Sequence, residues 1–151
     1  MLRLSHATSL IGCLLVLGWS ACRAGQEVAG VGRAFAGDIV IVRGAKIRLP
    51  GYELPAADET CAKGQAAVPC VEAALEALRG LLGEGSVTCV LESKVGHGSY
   101  QGPCRLADGA DLGEALVQRG LARAAGSGDG RYAAAEAEAR AAGRGVWQVD
   151  R

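Results

Sequence analysis

At 151 residues, half of them hydrophobic, the chain has material for one domain and a single core. Its 16 Lys and Arg balance 16 Asp and Glu, so it lacks the basic excess of proteins that grip nucleic acid through phosphates. Any nucleic-acid contact must therefore be a local patch.

The N-terminus carries Arg3, then an apolar run from Leu10 to Trp19, then the small residues Ser20, Ala21, Cys22 and Ala24. This is the pattern of an export signal spanning residues 1–24, too short for a transmembrane span. Cleavage after Ala24 is expected; the alternative is a lipid anchor on Cys22, against which stands Trp19, where a lipoprotein signal carries an aliphatic residue. Loss of Arg3 and Arg23 from the 16 bases leaves 14 against 16 acids, a slightly acidic mature chain. The expected setting is secreted or periplasmic, with no transmembrane segment in the mature chain. Export also leaves four cysteines, Cys61, Cys70, Cys89 and Cys104. An even number in an exported chain implies disulfides, and four cysteines allow three pairings. Nearness in sequence favours Cys61–Cys70 and Cys89–Cys104, each closing a loop worth roughly 3 kcal/mol. Zinc is the weaker reading, because the mature chain has no CxxC and a single histidine, His97.

Val28 to Phe35 reads as a first strand, with Gly30 and Gly32 marking bends or a bulge. Two β-branched runs follow, Ile39 to Val42 and Lys46 to Leu49, joined by Arg43-Gly44-Ala45 as a hairpin. Ala56 to Val68 reads as a polar loop. Pro69 then opens an amphipathic helix whose Val71, Ala74, Leu75, Leu78, Leu81 and Leu82 recur at three- and four-residue steps, ended by Gly83 and Gly85. Ser86 to Leu91 is another strand, and Glu92 to Ser99 a loop holding Lys94 and His97. Tyr100 to Leu106 is less regular. Asp111 caps a second helix with Glu114 three residues on, as in a capping box. Asp129 caps a third, alanine-rich helix supported by a Glu136–Arg140 pair, and Trp147 anchors the end. Three strands, a helix, two strands and two helices suit a small Greek-key barrel.

The chemistry-bearing residues sit on the hairpin. Asp38 precedes its first strand, Arg48 lies in its second, and Glu53 follows in a Pro/Gly-bounded loop. Two carboxylates and a guanidinium placed so can hold a hard cation and a phosphate. Ordinary surface charges on an exposed hairpin are the simpler reading of these residues alone, and Tyr52 reads as a rim aromatic.

In order and spacing, Gly37-Asp38, Ile47-Arg48-Leu49, Pro55 six residues before Cys61, Val87-Thr88-Cys89, Cys104 and Asp111 to Val117 resemble the staphylococcal-nuclease-like (thermonuclease) proteins in their small secreted form. Gly120-Leu121-Ala122, Tyr132, Glu136 to Arg140 and Gly145-Val146-Trp147 extend the likeness over nearly all of residues 25–151. The resemblance implies an α+β fold, a five-stranded OB-fold β-barrel with three helices. It also implies calcium-assisted hydrolysis of phosphodiester bonds in DNA and RNA, with two aspartates on the ion, two arginines on the phosphate and a glutamate as general base. Cation and guanidinium meet the charge developing on phosphorus, and the base aims the water.

Carried over position by position, the machinery is incomplete. Asp38 matches the first calcium aspartate and Arg48 the first phosphate arginine. Glu53 stands at the second calcium aspartate, its carboxylate displaced by a methylene, about 1.5 Å. Ala56 stands where the general-base glutamate belongs, and Ser99 where the second arginine belongs. The stacking tyrosines expected after Gly120-Leu121-Ala122 are absent until Tyr132. Losing a general base costs about 10²–10⁴ in rate. The expectation is an exported, monomeric binding module, catalytically inactive or strongly impaired, whose partner the sequence does not name. The alternative is a weak calcium-dependent endonuclease with its base recruited from Asp58 or Glu59. A third use of the same groups is an ion pair of Arg48 with Asp38 or Glu53, or a neutralised triad of all three.

Overall fold

A computed structural model describes residues 25–63, 66–126 and 130–148. The expected export signal and the Asp129 cap lie outside them. The N-terminal half runs β1 (Gln26–Ala36), β2 (Ile39–Val42), β3 (Ala45–Arg48), β4 (Tyr52–Glu53), β5 (Thr60–Lys63), β6 (Ala66–Pro69) and α1 (Cys70–Leu82). The remainder runs β7 (Ser86–Leu91), β8 (Ser93–Gly96), β9 (Ser99–Gln101), β10 (Cys104–Leu106), α2 (Leu112–Gln118), β11 (Arg123–Ala124) and α3 (Ala133–Ala141), then a 3-10 turn at Gly145–Trp147. The fold is therefore α+β with three helices, as expected. Among these residues no helix is long and apolar enough to cross a membrane.

Seven strands form the main sheet in the order β10-β7-β1-β2-β3-β9-β8, and the pairs β11-β4 and β5-β6 stand apart. This corrects the expected five-stranded barrel, because as a ladder of strands the sheet has two ends and does not close. All its pairs are antiparallel except β3 with β9. One residue, Glu92, separates β7 from β8, and Gly102-Pro103 separate β9 from β10. Backbone bonds bridge both interruptions, from Glu92 N to Gln101 O at 2.9 Å and from Val90 N to Pro103 O at 3.0 Å.

Further local expectations are corrected. Ala56 to Val68 is not all loop, since it contains the β5–β6 hairpin. Glu92 to Ser99 is the arm β8–β9 rather than a loop. In β1 the register slips between Ala34 and Ala36, not at Gly30 or Gly32. Pro69 is the N-cap of α1, with extended backbone, rather than its first helical residue.

Alternation along each strand builds the core. Val40, Val42 and Ile47 from the hairpin and Val87 from β7 point inward, fully buried. Leu78 and Leu82 of α1 and Leu112, Leu116 and Val117 of α2 cover them. Both expected disulfides are formed: Cys61–Cys70 ties β5 to the first turn of α1, and Cys89–Cys104 crosses the β7–β10 pair. All four cysteines are buried, an arrangement that fits an oxidising compartment. Near the C-terminus two glycines permit a backbone contact no other residue allows. A Cβ on Gly120 would stand 2.1 Å from the Arg144 carbonyl oxygen, and one on Gly145 2.1 Å from that of Gly120. Val146 N donates to Gly120 O at 2.9 Å across this crossing, which seats the turn carrying Trp147.

Candidate functional site

The β2–β3 hairpin turns on Arg43 and Gly44, whose φ of 48° and 82° are both positive. Two such residues form the tight turn whose twist matches paired strands. Arg43 holds its left-handed conformation with a bond from Nε to the Ala29 carbonyl at 2.7 Å. The register sets Ile39 against Arg48 and Ile41 against Lys46. Since Ile47 and Leu49 point into the core, Lys46 and Arg48 share the outer face.

From there the Arg48 guanidinium reaches Asp38, and Nη1 pairs with Oδ2. The Asp38 side chain is 17% exposed and that of Arg48 59%, so the guanidinium keeps an open side. Two bonds fix the Asp38 backbone: Leu49 N donates to its carbonyl at 2.9 Å, and Tyr52 Oη donates to the Gly37 carbonyl at 3.0 Å. Tyr52 is thus a buried strut, not the rim aromatic expected. Its ring lies 6.4 Å from that of Tyr132, and burial, followed by the Asp38 charge, pushes its phenol well up.

Beside this pair lies an open cleft of about 240 Å³ lined by Ile39, Lys46, Arg48, Val95, Ser99 and Tyr100. The parallel β3–β9 pairing builds it, placing Lys46 beside Ser99 and Arg48 beside Gln101. Arg48 and position 99 therefore share one cleft. Ser99 brings only a short neutral hydroxyl, bonded to the His97 carbonyl at 3.4 Å. Lys46, which sequence reasoning passed over, brings a cation. Its Nζ sits 4.4 Å from the ring centre of Phe35, which is 58% exposed. The signal was the two-residue spacing of Lys46 and Arg48 in a strand.

The other candidate residues do not join this pair. Glu53 is exposed in β4, and its carboxylate has no hydrogen-bond or ion-pair partner among the described residues. Arg48 therefore forms a pair with Asp38, not a triad. Calcium takes six to eight oxygens. Here an oxygen of Asp38 faces a guanidinium, and no three His, Cys, Asp or Glu side chains converge among the described residues. The donor set fits that ion poorly. Ala56 is exposed and offers only its backbone, donating from N to Glu59 Oε2 at 2.7 Å.

Glu59 is committed elsewhere. Arg123 holds it in a two-pronged bond, Nη1 to Oε2 at 2.8 Å and Nη2 to Oε1 at 2.5 Å. These bonds, with that from Ala56 N, lower its carboxyl to about 2. A base so weak and so engaged is unsuited to activating water near neutrality. Asp58 and His97 are exposed. Arg123 also lies 5.2 Å from the Trp147 ring and Arg140 4.1 Å from it, while Arg140 pairs with Glu136 at 3.3 Å as expected. Asp111 caps α2 as expected, accepting from Gly113 N at 2.9 Å, Glu114 N at 3.1 Å and the Tyr132 hydroxyl at 2.8 Å. Tyr132 is consequently buried, so neither it nor Tyr52 offers a face for stacking.

Fold and site together define a disulfide-tied α+β protein whose outer hairpin face carries a charged cleft without an acidic cluster. No family model matches the sequence. Among curated proteins the chain is similar to the succinoglycan biosynthesis protein ExoI of Rhizobium meliloti (strain 1021), 26% identical over 150 residues. The likeness covers 96% of this chain and 78% of that protein.

Proposed function

We propose that this protein is an exported, monomeric binding module on a staphylococcal-nuclease-like OB-fold that does not hydrolyse phosphodiesters. The observation that carries the reading is the shared cleft of Arg48 and Ser99. Two positions the resemblance assigns to one phosphate clamp face the same space, and one of them has lost its charge. Ala56 likewise brings no carboxylate, and Glu59 is held by Arg123.

The strand order supports the fold reading. Taking β7 with β8 and β9 with β10 as two interrupted strands leaves five segments in the order 1-2-3-5-4, with the fourth returning onto the first. The parallel third-to-fifth pairing and the bridging bonds at Glu92 and Pro103 run those two interrupted strands along both ends of the ladder, a five-segment order that supports the OB-fold reading. The disulfides and the N-terminal pattern support a secreted or periplasmic site. The related protein's name places that protein in the making of a glycan, a setting in which an exported binding module has a use.

Incubation of the purified, oxidised protein with plasmid DNA and RNA, with calcium and with chelator, tests the reading. No cleavage in either condition is expected. Calcium-dependent cleavage that vanishes in Asp38→Ala would overturn it and establish the alternative, a weak endonuclease using Asp38, Glu53 and Arg48.

A further inference from the structure

We infer that the Lys46–Arg48 cleft is a binding site for a carboxylate-bearing polysaccharide, with Lys46 as its anchoring cation; this rests on the binding-module reading. Lys46 stands directly across the parallel pair from Ser99, so the cleft carries its second cation on β3 rather than β9. Asp38 cancels one of the two cations, leaving one net positive charge among the cleft's own groups. That charge suits a ligand that presents one carboxylate to the cleft at a time. A nucleic-acid backbone is gripped by a run of cations, which the cleft does not have.

The rest of the cleft agrees. Ser99 and Tyr100 supply polar lining for sugar hydroxyls, and Ile39 and Val95 supply apolar contact, Val95 being 61% exposed. Phe35 extends this apolar edge, and its contact with Lys46 Nζ holds the ammonium at the cleft instead of leaving it to sweep through solvent. Single-stranded nucleic acid is held by open aromatic platforms. Here Tyr52 and Tyr132 are buried, Trp147 lies against two arginines, and the exposed Phe35 has the Lys46 ammonium over its ring. Openness matters too, since a polymer must pass through a site on the outer face without threading an end.

Affinity electrophoresis of the oxidised protein in gels containing polygalacturonate, neutral dextran or oligothymidylate tests the assignment. Polygalacturonate should retard the protein, dextran should not, and oligothymidylate should do so less than polygalacturonate. Lys46→Glu should weaken the polygalacturonate interaction by about tenfold or more, the scale of one lost charge-assisted bond. Lys46→Arg should retain it, and Phe35→Ala should weaken it severalfold with an unchanged melting temperature. Affinity should fall with salt with a log–log slope near one, the mark of a single ion pair. Equal retardation by dextran, tighter binding to oligothymidylate, no retardation by polygalacturonate, or an unchanged Lys46→Glu each overturns the assignment. Calcium-dependent plasmid cleavage instead overturns the binding-module reading itself, so the two failures are distinguishable.

Discussion

Glu59 shows how much a single carboxylate's partners decide. Two Arg123 nitrogens and the Ala56 N–H favour its charged form and lower its carboxyl from 4.5 to about 2. A depressed carboxyl contributes stability above its unfolded value and loses it as pH falls through the folded value. The contribution of the Glu59–Arg123 pair should therefore be complete above pH 4.5 and disappear as pH approaches 2. Both side chains are about a third exposed, so solvent screening limits it to about 1 kcal/mol or less. Urea unfolding of wild type and Glu59→Gln across pH 2 to 7 should show a constant gap that closes within that acid window. A gap that widens on acidification would contradict the assignment. Asp111 offers a second residue-scale test. Tyr132→Phe removes one of three donors to Asp111 Oδ1 and should cost about 1 kcal/mol. Asp111→Ala removes the helix cap as well and strands the buried Tyr132 hydroxyl, so its loss should exceed that of Tyr132→Phe. Urea midpoints at an unchanged m-value would rank the two.

At the scale of elements, stability depends on turns and cross-links that hold short strands in register. Gly44→Ala puts a side chain at φ 82°, which should cost about 1–3 kcal/mol and lower the unfolding midpoint without changing m. Replacing Cys89 and Cys104 together by alanine opens a cross-link of sequence separation 15 and should cost about 3 kcal/mol. The same elements show what the sequence makes legible. Helix α1 is plain because Ala74, Leu78 and Leu82 recur with the helical period, and the β2–β3 hairpin because β-branched residues flank a glycine. The arm β8–β9 is hidden because all four residues of β8 are exposed, which erases the alternation that marks a half-buried strand. Hairpin β5–β6 is hidden by its alanines, poor strand formers, and the Cys61–Cys70 cross-link ties it to α1. In the site, Asp38 and Arg48 meet because they flank one antiparallel pair, whereas nothing local tells that the Glu53 carboxylate has no partner among the described residues. Tyr52 reads as a rim aromatic because nothing local points to its neighbours in the core, among them Tyr132, eighty residues on, whose ring lies 6.4 Å away.

For the whole molecule the question is whether the proposed staphylococcal-nuclease-like fold still carries a nuclease's geometry with parts removed. The shared cleft of Arg48 and Ser99 makes this testable by restoration. Ser99→Arg adds a guanidinium beside Arg48, where it could face the same phosphate. Ala56→Glu adds a carboxylate that Arg123 is not free to capture, because Glu59 already fills its fork. Glu53→Asp shortens the remaining calcium candidate by one methylene. A general base and a transition-state donor each contribute about two orders of magnitude or more. Acting as a unit they should exceed neither their product nor the limit set by Asp38, whose carboxylate is paired with Arg48. The triple variant should therefore show calcium-dependent plasmid cleavage at least about 10²-fold above wild-type background. Asp38→Ala in that variant should abolish it. Lys46→Ala should change it little, because Lys46 anchors a different ligand from the one being cleaved. A triple variant that melts like wild type yet cleaves nothing would mean that positions 56 and 99 are not where a nuclease keeps its base and its second arginine. The proposed OB-fold alignment through both loops would then fail.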